Sequence, residues 1–242
     1  MSAKIEGRDG DSSPKPGLNL LLSALEPDDL ALISSRLETV SFEQGAVLYR
    51  PGEQIHLVYF PRNCVVSVVN RMENGGGVEV GTVGREGMVG LAAFLGNGNL
   101  PNETLVQVAG DADVLPAELL LEVTEAHPSF RHRLNKYVLA FLAQVSQTAS
   151  CNRAHTIEQR SARWLLMTAD RVGANDFNLT HQFLSFMLGV RRAGVTVALG
   201  GLQKAGLISY RRGAVRILDR ARLQRTSCEC YEIISKHYDQ MA

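Results

Sequence analysis

The stretch NLTHQFLSFMLGVRRAGVTVALGGLQKAGLISYRRGAVR, residues 178–216, decides the C-terminal part of the fold. Thr180 has the right side chain to cap a helix, and apolar residues follow it at three- and four-residue spacings until Gly189. After a turn of about three residues, a second helical period runs from Ala193 to Leu202, and Gly206 closes it. Two short helices joined by a glycine turn predict a helix-turn-helix.

A hairpin is predicted directly after the second helix. Leu207 to Tyr210 and Ala214 to Leu218 are β-rich runs, and Arg211, Arg212 and Gly213 separate them. The hairpin would therefore be a wing with a basic tip.

The balance of charge changes along the chain. Residues 153–225 contain thirteen Lys or Arg against four Asp or Glu, whereas residues 1–152 contain eleven against eighteen. The net charge of +0 therefore hides a basic C-terminal region. A module that neutralises DNA phosphates needs such an excess. Pattern, wing and charge together favour a DNA-binding module over the alternative, a two-helix packing motif in an unrelated bundle.

The same residues resemble the winged helix-turn-helix of the Crp–Fnr superfamily of bacterial transcription regulators. The segment LTHQFLSFMLGVRRAGVTVALGGLQKAGLI has that family's capped helix, Leu-Gly turn, recognition helix and Leu-x-x-x-Gly-Leu-Ile entry to the wing. The resemblance implies an α+β chain with an N-terminal antiparallel β-roll similar to cyclic-nucleotide-binding domains, a long dimerisation helix and a C-terminal winged helix-turn-helix domain. The expected segments are a disordered tail (1–17), a sensor domain (18–128), the dimerisation helix (129–152), the DNA-binding domain (153–219) and a helical extension (220–242).

Two sets of side chains are expected to contact DNA. In the family the recognition helix begins with Arg-Glu and has a second Arg one turn on, but here Ala193 and Val197 replace the Glu and the second Arg. Base readout must therefore differ from that pattern. The residues expected to read bases are Arg191, Arg192, Ala193, Thr196 and Val197. Those expected to contact phosphates are Thr180, His181, Gln182, Arg211 and Arg212.

From Val40 to Leu115, short β-branched runs separated by glycine indicate an antiparallel roll or barrel. The family's cyclic-phosphate site needs an Arg followed by Ser or Thr just before the next strand. Counting back from the strand Leu105 to Val108 gives Asn102 and Glu103 at those positions, with Thr104 the nearest hydroxyl. A carboxylate there would repel a phosphodiester, so cyclic nucleotide binding is disfavoured unless Arg85 or an offset alignment restores it. The expected degenerate effector pocket comprises Glu86, Gly87, Asn102, Glu103 and Thr104. Another small molecule, or the protein's own side chains, could fill it.

The segment from Gly81 to Gly90 carries glycines at three-residue spacing and could be mistaken for a phosphate-binding loop. Its spacing fits neither a P-loop nor a dinucleotide-binding fingerprint.

A long helix is predicted to begin at Pro128. Apolar and small residues recur along it at alternating four- and three-residue spacings, which indicates a helix-pairing seam; a helix packed only on its own roll is the alternative. The predicted seam comprises Leu134, Val138, Phe141, Val145, Thr148 and Asn152.

The sequence suggests neither an enzyme nor a membrane protein. No apolar run approaches the roughly eighteen residues of a membrane span, so the chain is expected in the cytoplasm. No catalytic constellation accompanies the histidines, and no cofactor is predicted. Cys228-x-Cys230 could be half of a metal site, but with no second pair and only His237 nearby, two ordinary thiols in a helix are favoured and no metal is predicted.

These observations predict a homodimeric, sequence-specific transcription regulator that binds double-stranded DNA at an inverted-repeat operator and responds to an unknown small-molecule effector. RNA polymerase is expected as a further partner. Two alternatives are a nucleotide or small-molecule sensor whose C-terminal domain binds a protein, and an enzyme built on the β-roll.

Overall fold

The computed structural model describes residues 17, 19–23, 25–73, 75–96 and 98–241. The predicted disordered tail lies outside these residues except for Gly17. In chain order the elements are α1 (Leu20–Ser23), α2 (Pro27–Ser34), β1 (Glu38–Phe42), β2 (Val47–Tyr49), β3 (Leu57–Pro61), β4 (Val65–Arg71), β5 (Gly77–Val83), α3 (Leu91–Phe94), β6 (Glu103–Val108), β7 (Gly110–Pro116), α4 (Ala117–Ala126), α5 (Pro128–Ala154), α6 (Ile157–Val172), β8 (Asp176–Asn178), α7 (His181–Leu188), α8 (Arg192–Lys204), β9 (Ile208–Arg211), β10 (Ala214–Ile217), α9 (Arg220–Thr226) and α10 (Cys230–Asp239).

The N-terminal part is an antiparallel β-roll, as predicted. One sheet has the strand order β1-β7-β3 and the other β2-β6-β4-β5, with antiparallel pairing throughout. Val58, Phe60, Val66 and Leu115 are buried in the core of the roll. Helices α4 and α5 follow the last strand, and Leu120 and Phe130 extend the same core.

Helix α5 begins with Pro128 in its first turn and continues for 27 residues, which at 1.5 Å per residue is about 40 Å. Its inner face packs on its own chain. Leu134, Tyr137, Gln144 and Thr148 are all buried there. The assignment of Leu134 and Thr148 to a seam between two chains is therefore wrong, because the protomer already covers both side chains.

The C-terminal part contains the predicted helix-turn-helix and wing. Helices α7 and α8 are bent by 109° relative to one another. The wing is a three-stranded sheet in the order β8-β10-β9, and the short strand β8 was not predicted. Arg212 and Gly213 have φ of 53° and 80°, as a two-residue type I′ hairpin turn requires. Among the described residues no single helix is long and apolar enough to cross a membrane; only the bent pair α7 and α8, taken together, has the length and composition.

The C-terminal extension, predicted to be helical over residues 220–242, is divided into two helices. It forms α9 and α10, because Ser227 adopts an extended conformation with φ −69° and ψ 167° and its hydroxyl bonds to the Gln224 carbonyl. Helix α10 packs against α5 and α6. Arg220, the first residue of α9, bonds to both Asp170 and the Tyr231 hydroxyl, which fixes α9 and α10 on α6.

The glycine-rich segment from Gly81 to Gly90 allows two helices to pack closely on the roll. A Cβ atom at Gly81 would lie 2.7 Å from the Phe141 ring, one at Gly84 would lie 2.5 Å from the Arg171 side chain, and one at Gly87 would lie 2.4 Å from the Tyr137 ring. These three glycines therefore let α5 and α6 approach the roll, which gives the spacing a purpose other than phosphate binding.

A buried polar network joins the roll to α6. Ser67 Oγ lies 2.6 Å from Glu79 Oε2 and 2.9 Å from Gln107 Oε1, and Gln107 donates from Nε2 to Thr168 Oγ1 of α6 at 2.7 Å. A serine hydroxyl has one hydrogen to donate, so both contacts of Ser67 are satisfied when Glu79 is protonated and donates to it. Burial raises the pKa of Glu79 and outweighs the lowering effect of its hydrogen bonds with Ser67 and Thr82, and this direction agrees with a protonated Glu79.

Candidate DNA-binding surface and effector cavity

Short-range capping and turn residues position the recognition helix, α8. Thr180 Oγ1 accepts a hydrogen bond from the Phe183 backbone N–H at 3.1 Å, which caps α7. Gly189 ends α7 with a left-handed φ of 62°. In α8 the side chains of Val195, Leu199 and Leu202 are buried in the domain core, so the opposite side of the helix faces solvent.

All five residues expected to read bases lie on that exposed side: Arg191, Arg192, Ala193, Thr196 and Val197. The centre of the face is small and apolar, and Val197 is 76% exposed. The face can therefore offer guanidinium groups at the helix N-terminus, suited to guanine O6 and N7, and an apolar surface suited to a thymine methyl group.

Four of the residues expected at phosphates are exposed near the wing and the start of α7: Thr180, Gln182, Arg211 and Arg212. His181 differs. Its ring stacks on Tyr210 with centroids 4.5 Å apart, and its Nδ1 lies 2.9 Å from Thr196 Oγ1. Since the Thr196 hydroxyl donates to the Arg192 carbonyl, Nδ1 of His181 must be the donor in that pair.

His181 therefore holds the wing against the recognition helix, and this tertiary role has no signal in the sequence. Burial, followed by the nearby charge of Arg192, lowers the pKa of His181. A lowered pKa disfavours the protonated ring, which is the form that would suit the predicted phosphate contact.

A cavity of about 300 Å³ opens inside the roll between the sheets and α5. Apolar side chains make most of its wall: Ile55, Val68, Val80, Val83, Met88, Val89, Leu91, Leu100, Phe141 and Val145. Asn70, Asn102 and Thr104 add polar groups, and the amide of Asn102 donates to the side chain of Asn70. Such a lining suits a small molecule that is apolar over most of its surface and carries a few hydrogen-bonding groups.

The cavity contains only two of the five pocket residues expected from the sequence, Asn102 and Thr104. Glu103 points away and pairs with Arg71 at 2.5 Å. Glu86 pairs with Arg171 at 2.9 Å, and Gly87 faces Tyr137. The proposed repulsion between Glu103 and a bound phosphate is therefore wrong, because alternation along β6 turns consecutive side chains to opposite faces.

Charge in the cavity is balanced at its mouth. Of the described residues that line it, Arg50 is the only Lys or Arg, and Glu53 lies beside it with its carboxylate accepting the Arg50 backbone N–H at 2.9 Å. Arg85 lies in a separate depression with Glu86 and Arg171, so it adds no charge to the cavity.

Phe141 and Val145 of α5 were assigned to a helix-pairing seam, but both line this cavity. Asn152, assigned to the same seam, has its side-chain oxygen bonded to Arg160 at 2.8 Å. The large apolar side chains of α5 that are exposed to solvent are instead Leu139 at 67% and Leu142 at 61%. They belong to a row on the outer side of the helix, which we name the α5 stripe. It comprises the exposed residues Asn135, Leu139, Leu142, Ser146 and Ala149 together with Val138, which is half-buried and also belongs to the predicted seam.

The fold and the two sites define a winged-helix regulator with a sensor domain. The family model described as a cyclic nucleotide-binding domain matches residues 39–127, and the model described as a Crp-like helix-turn-helix domain matches residues 159–226. The chain belongs to the Crp–Fnr family of transcription regulators, and neither the family nor the fold is that of an enzyme. Regulators with this helix-turn-helix domain bind DNA and are typically dimeric.

Several solved structures share this fold, and the match covers nearly the whole length of each of them. A crp/fnr family transcriptional regulator from Eubacterium rectale has 20% identity, a TM-score of 0.65, and coverage of 86% of this chain and 97% of its own. FixK2 from Bradyrhizobium japonicum has 15% identity, a TM-score of 0.68, and coverage of 79% and 98%. The c-di-GMP responsive global regulator CLP from Xanthomonas campestris has 15% identity, a TM-score of 0.64, and coverage of 79% and 99%. No curated protein sequence matches the chain significantly.

Proposed function

We propose that this regulator is a homodimer that binds an inverted-repeat operator and responds to a small, mainly apolar effector rather than to a cyclic nucleotide. The observation that carries the DNA-binding part is the exposed face of α8, with two arginines at its N-terminus and two more at the tip of the neighbouring wing. One surface thereby combines groups for base edges with groups for phosphates.

The chemical nature of the proposed effector is inferred from the cavity in the roll. Its wall is apolar and its volume of about 300 Å³ lies at the lower end of the range for ligand sites. A cyclic nucleotide would bring a phosphodiester that needs a cation inside the wall, and the described lining offers only Arg50 at the mouth, next to Glu53. Cyclic AMP and cyclic GMP are therefore poor candidates.

Dimerisation follows from the α5 stripe. Two leucines at neighbouring positions on one helix, both more than half exposed, cost free energy in water unless a second surface covers them. A second copy of α5 supplies an equal surface, and a symmetric pair would present two recognition helices to half-sites about one helical turn apart. We further propose RNA polymerase as a partner of this regulator and the cytoplasm as its location.

Selection of bound sites from random duplex DNA tests the regulator as a whole. We expect an enriched inverted repeat, and loss of enrichment when Arg192 is replaced by Ala. Arg225→Ala is the matched control, because Arg225 is also exposed but lies on α9 away from the recognition helix. Recovery of random sequence by the native chain would contradict specific DNA binding.

Calorimetry with cyclic AMP and cyclic GMP tests the effector proposal separately. We expect no binding at micromolar concentration and no change in operator affinity. Micromolar affinity for either nucleotide would overturn the apolar-effector proposal and leave the DNA-binding proposal intact.

A further inference from the structure

Folding brings four side chains with metal-binding atoms together at the end of α5. Cys151 lies in its last turn and His155 directly follows the helix. Cys228 lies in the break between α9 and α10, and Cys230 is the first residue of α10. The thiol sulfurs and one ring nitrogen of His155 all lie within 4.8 Å of one another. We name these four residues the cysteine–histidine cluster.

The distances within the cluster suit one tetrahedral ion. Cys151 Sγ and Cys228 Sγ are 3.5 Å apart, and Cys230 Sγ is 3.6 Å from His155 Nδ1. A zinc ion with Zn–S bonds of about 2.3 Å and a Zn–N bond of about 2.0 Å separates two thiolate sulfurs by roughly 3.8 Å and a sulfur and a nitrogen by roughly 3.5 Å. Shifts of a few tenths of an ångström would therefore complete the coordination.

We propose that the cysteine–histidine cluster binds a structural zinc ion. Three thiolates and one imidazole are a common ligand set for zinc, and soft sulfur ligands disfavour magnesium and calcium. All three cysteines are buried, so four protein ligands close the site as in structural rather than catalytic zinc centres.

The groups around the cluster are those that a metal site needs. Glu229 Oε2 lies 3.1 Å from His155 Nε2, so the carboxylate can hold the proton on that nitrogen and leave Nδ1 free for a metal. Gln147 donates from Nε2 to Cys230 Sγ at 3.1 Å, and such outer hydrogen bonds orient the ligands of metal sites. Neither contact is needed by a pair of inert thiols in a helix.

The charge of the surroundings also fits. Three thiolates and one Zn²⁺ carry a net charge of −1, and a buried negative charge needs cations nearby. Arg160 and Arg163 are both buried, and neither makes a salt bridge with any carboxylate in the described part of the chain. Both guanidinium groups lie close enough to Cys151 and Cys228 to interact electrostatically with their sulfurs.

The position of the cluster gives the ion a structural role beyond DNA binding and effector binding. It lies where α5 ends and α6 begins, since Thr156 caps α6 one residue after His155. A bound ion would tie the C-terminal extension to the end of α5 and fix the direction in which the DNA-binding domain leaves that helix. The proposal does not depend on the identity of the effector or of the operator.

The test measures metal content and coordination directly. The full chain, purified under reducing conditions without a histidine tag, should contain about one zinc per chain by plasma mass spectrometry. Replacement of zinc by Co²⁺ should give the visible ligand-field bands of tetrahedral cobalt and a thiolate-to-cobalt charge-transfer band in the near ultraviolet. Cys151→Ser and Cys228→Ser should lose both signals, whereas Cys64→Ser should keep them, because Cys64 is equally buried but lies in the roll.

A second variant keeps the test decisive if the serine variants misfold. Glu229 is 68% exposed, so Glu229→Gln should fold normally; it should weaken zinc affinity by about 10- to 100-fold and leave the cobalt spectrum unchanged in shape. Metal content no higher in the native chain than in Cys228→Ser, or absence of cobalt bands, would overturn the proposal. So would a Cys151–Cys228 disulfide in the protein isolated under reducing conditions.

Discussion

Replacing Leu139 and Leu142 together by Glu should convert the dimer to monomers. Their exposed fractions are 67% and 61%, so covering them with a second helix removes about two thirds of each side chain from water. Full burial of a leucine contributes about 1.5–3 kcal/mol, so each of these contributes roughly 1–2 kcal/mol and the four in a symmetric pair roughly 4–8 kcal/mol. That loss corresponds to a rise in Kd of about a thousandfold or more, before the repulsion of the new carboxylates is counted.

Sedimentation at a series of micromolar concentrations measures this directly. The native chain should sediment as a dimer and the double variant as a monomer with reduced operator affinity. Lys136→Gln is the control, because it removes one charge from an exposed position of α5 outside the stripe. Phe141→Leu should also stay dimeric, since Phe141 faces the cavity. A double variant with the native Kd would refute the stripe as the interface.

Three further predictions concern single side chains. Arg192→Ala should weaken operator binding by roughly 1–3 kcal/mol and relax the preference at one base pair per half-site, whereas Arg211→Ala should weaken binding to all sequences alike and lower the salt slope by about one unit. Binding to a half-site library across a salt series distinguishes the two variants. A base preference altered only by Arg211→Ala would reverse the two roles. Asn102→Arg, which places a cation in the cavity wall, should give cyclic AMP affinity measurable by calorimetry where the native chain has none; an unchanged thermogram would show that the missing cation is not the obstacle. Because the pKa of Glu79 is raised in the folded state, its ionisation lowers stability at neutral pH, so Glu79→Gln should be more stable than the native chain at pH 7 and the difference should vanish below the unfolded glutamate pKa of about 4.3. Thermal unfolding across pH checks this, and a loss of stability in the Gln variant at pH 7 would contradict it.

The helix-turn-helix could be predicted because its determinants are local. Thr180 caps α7 by accepting a hydrogen bond from the backbone N–H only three residues later in the chain. Gly189 and Gly206 end helices at the residues where a left-handed φ is needed. The short strand β8 escaped prediction because its pairing with β10 connects residues far apart in the chain.

Most of the proposed α5 stripe lies one position further along the chain than the row that the heptad pattern predicts, and the difference has a physical reason. A heptad pattern on α5 fits both a row through Leu134 and a row through Asn135, since both alternate three- and four-residue spacings. Only packing against the roll decides which row faces inward. Leu134 and Tyr137 turn in, so Leu142 rather than Phe141 turns out.

The sequence does not predict the cysteine–histidine cluster, because its members are distant from one another along the chain. Cys151 and Cys228 are 77 residues apart, and the only nearby partner for the Cys228-x-Cys230 pair appeared to be His237. Spacing rules for metal sites depend on ligands that share a hairpin or a helix turn. Here the break after α9 and the packing of α10 on α5 bring the ligands together, and both follow from tertiary contacts.

Helix α5 links the cavity to the α5 stripe within one residue. Phe141 forms part of the cavity wall. Its ring already packs so closely on Gly81 of β5 that a Cβ atom at that position would lie 2.7 Å from the ring, so the ring cannot move further toward β5. A close-packed interior transmits such a displacement instead of absorbing it. A ligand that pushes on Phe141 must therefore turn or shift α5, and Leu142, the next residue along, moves with it on the outer side of the helix. In the proposed regulator, the contact with the effector and the contact between protomers would therefore change together.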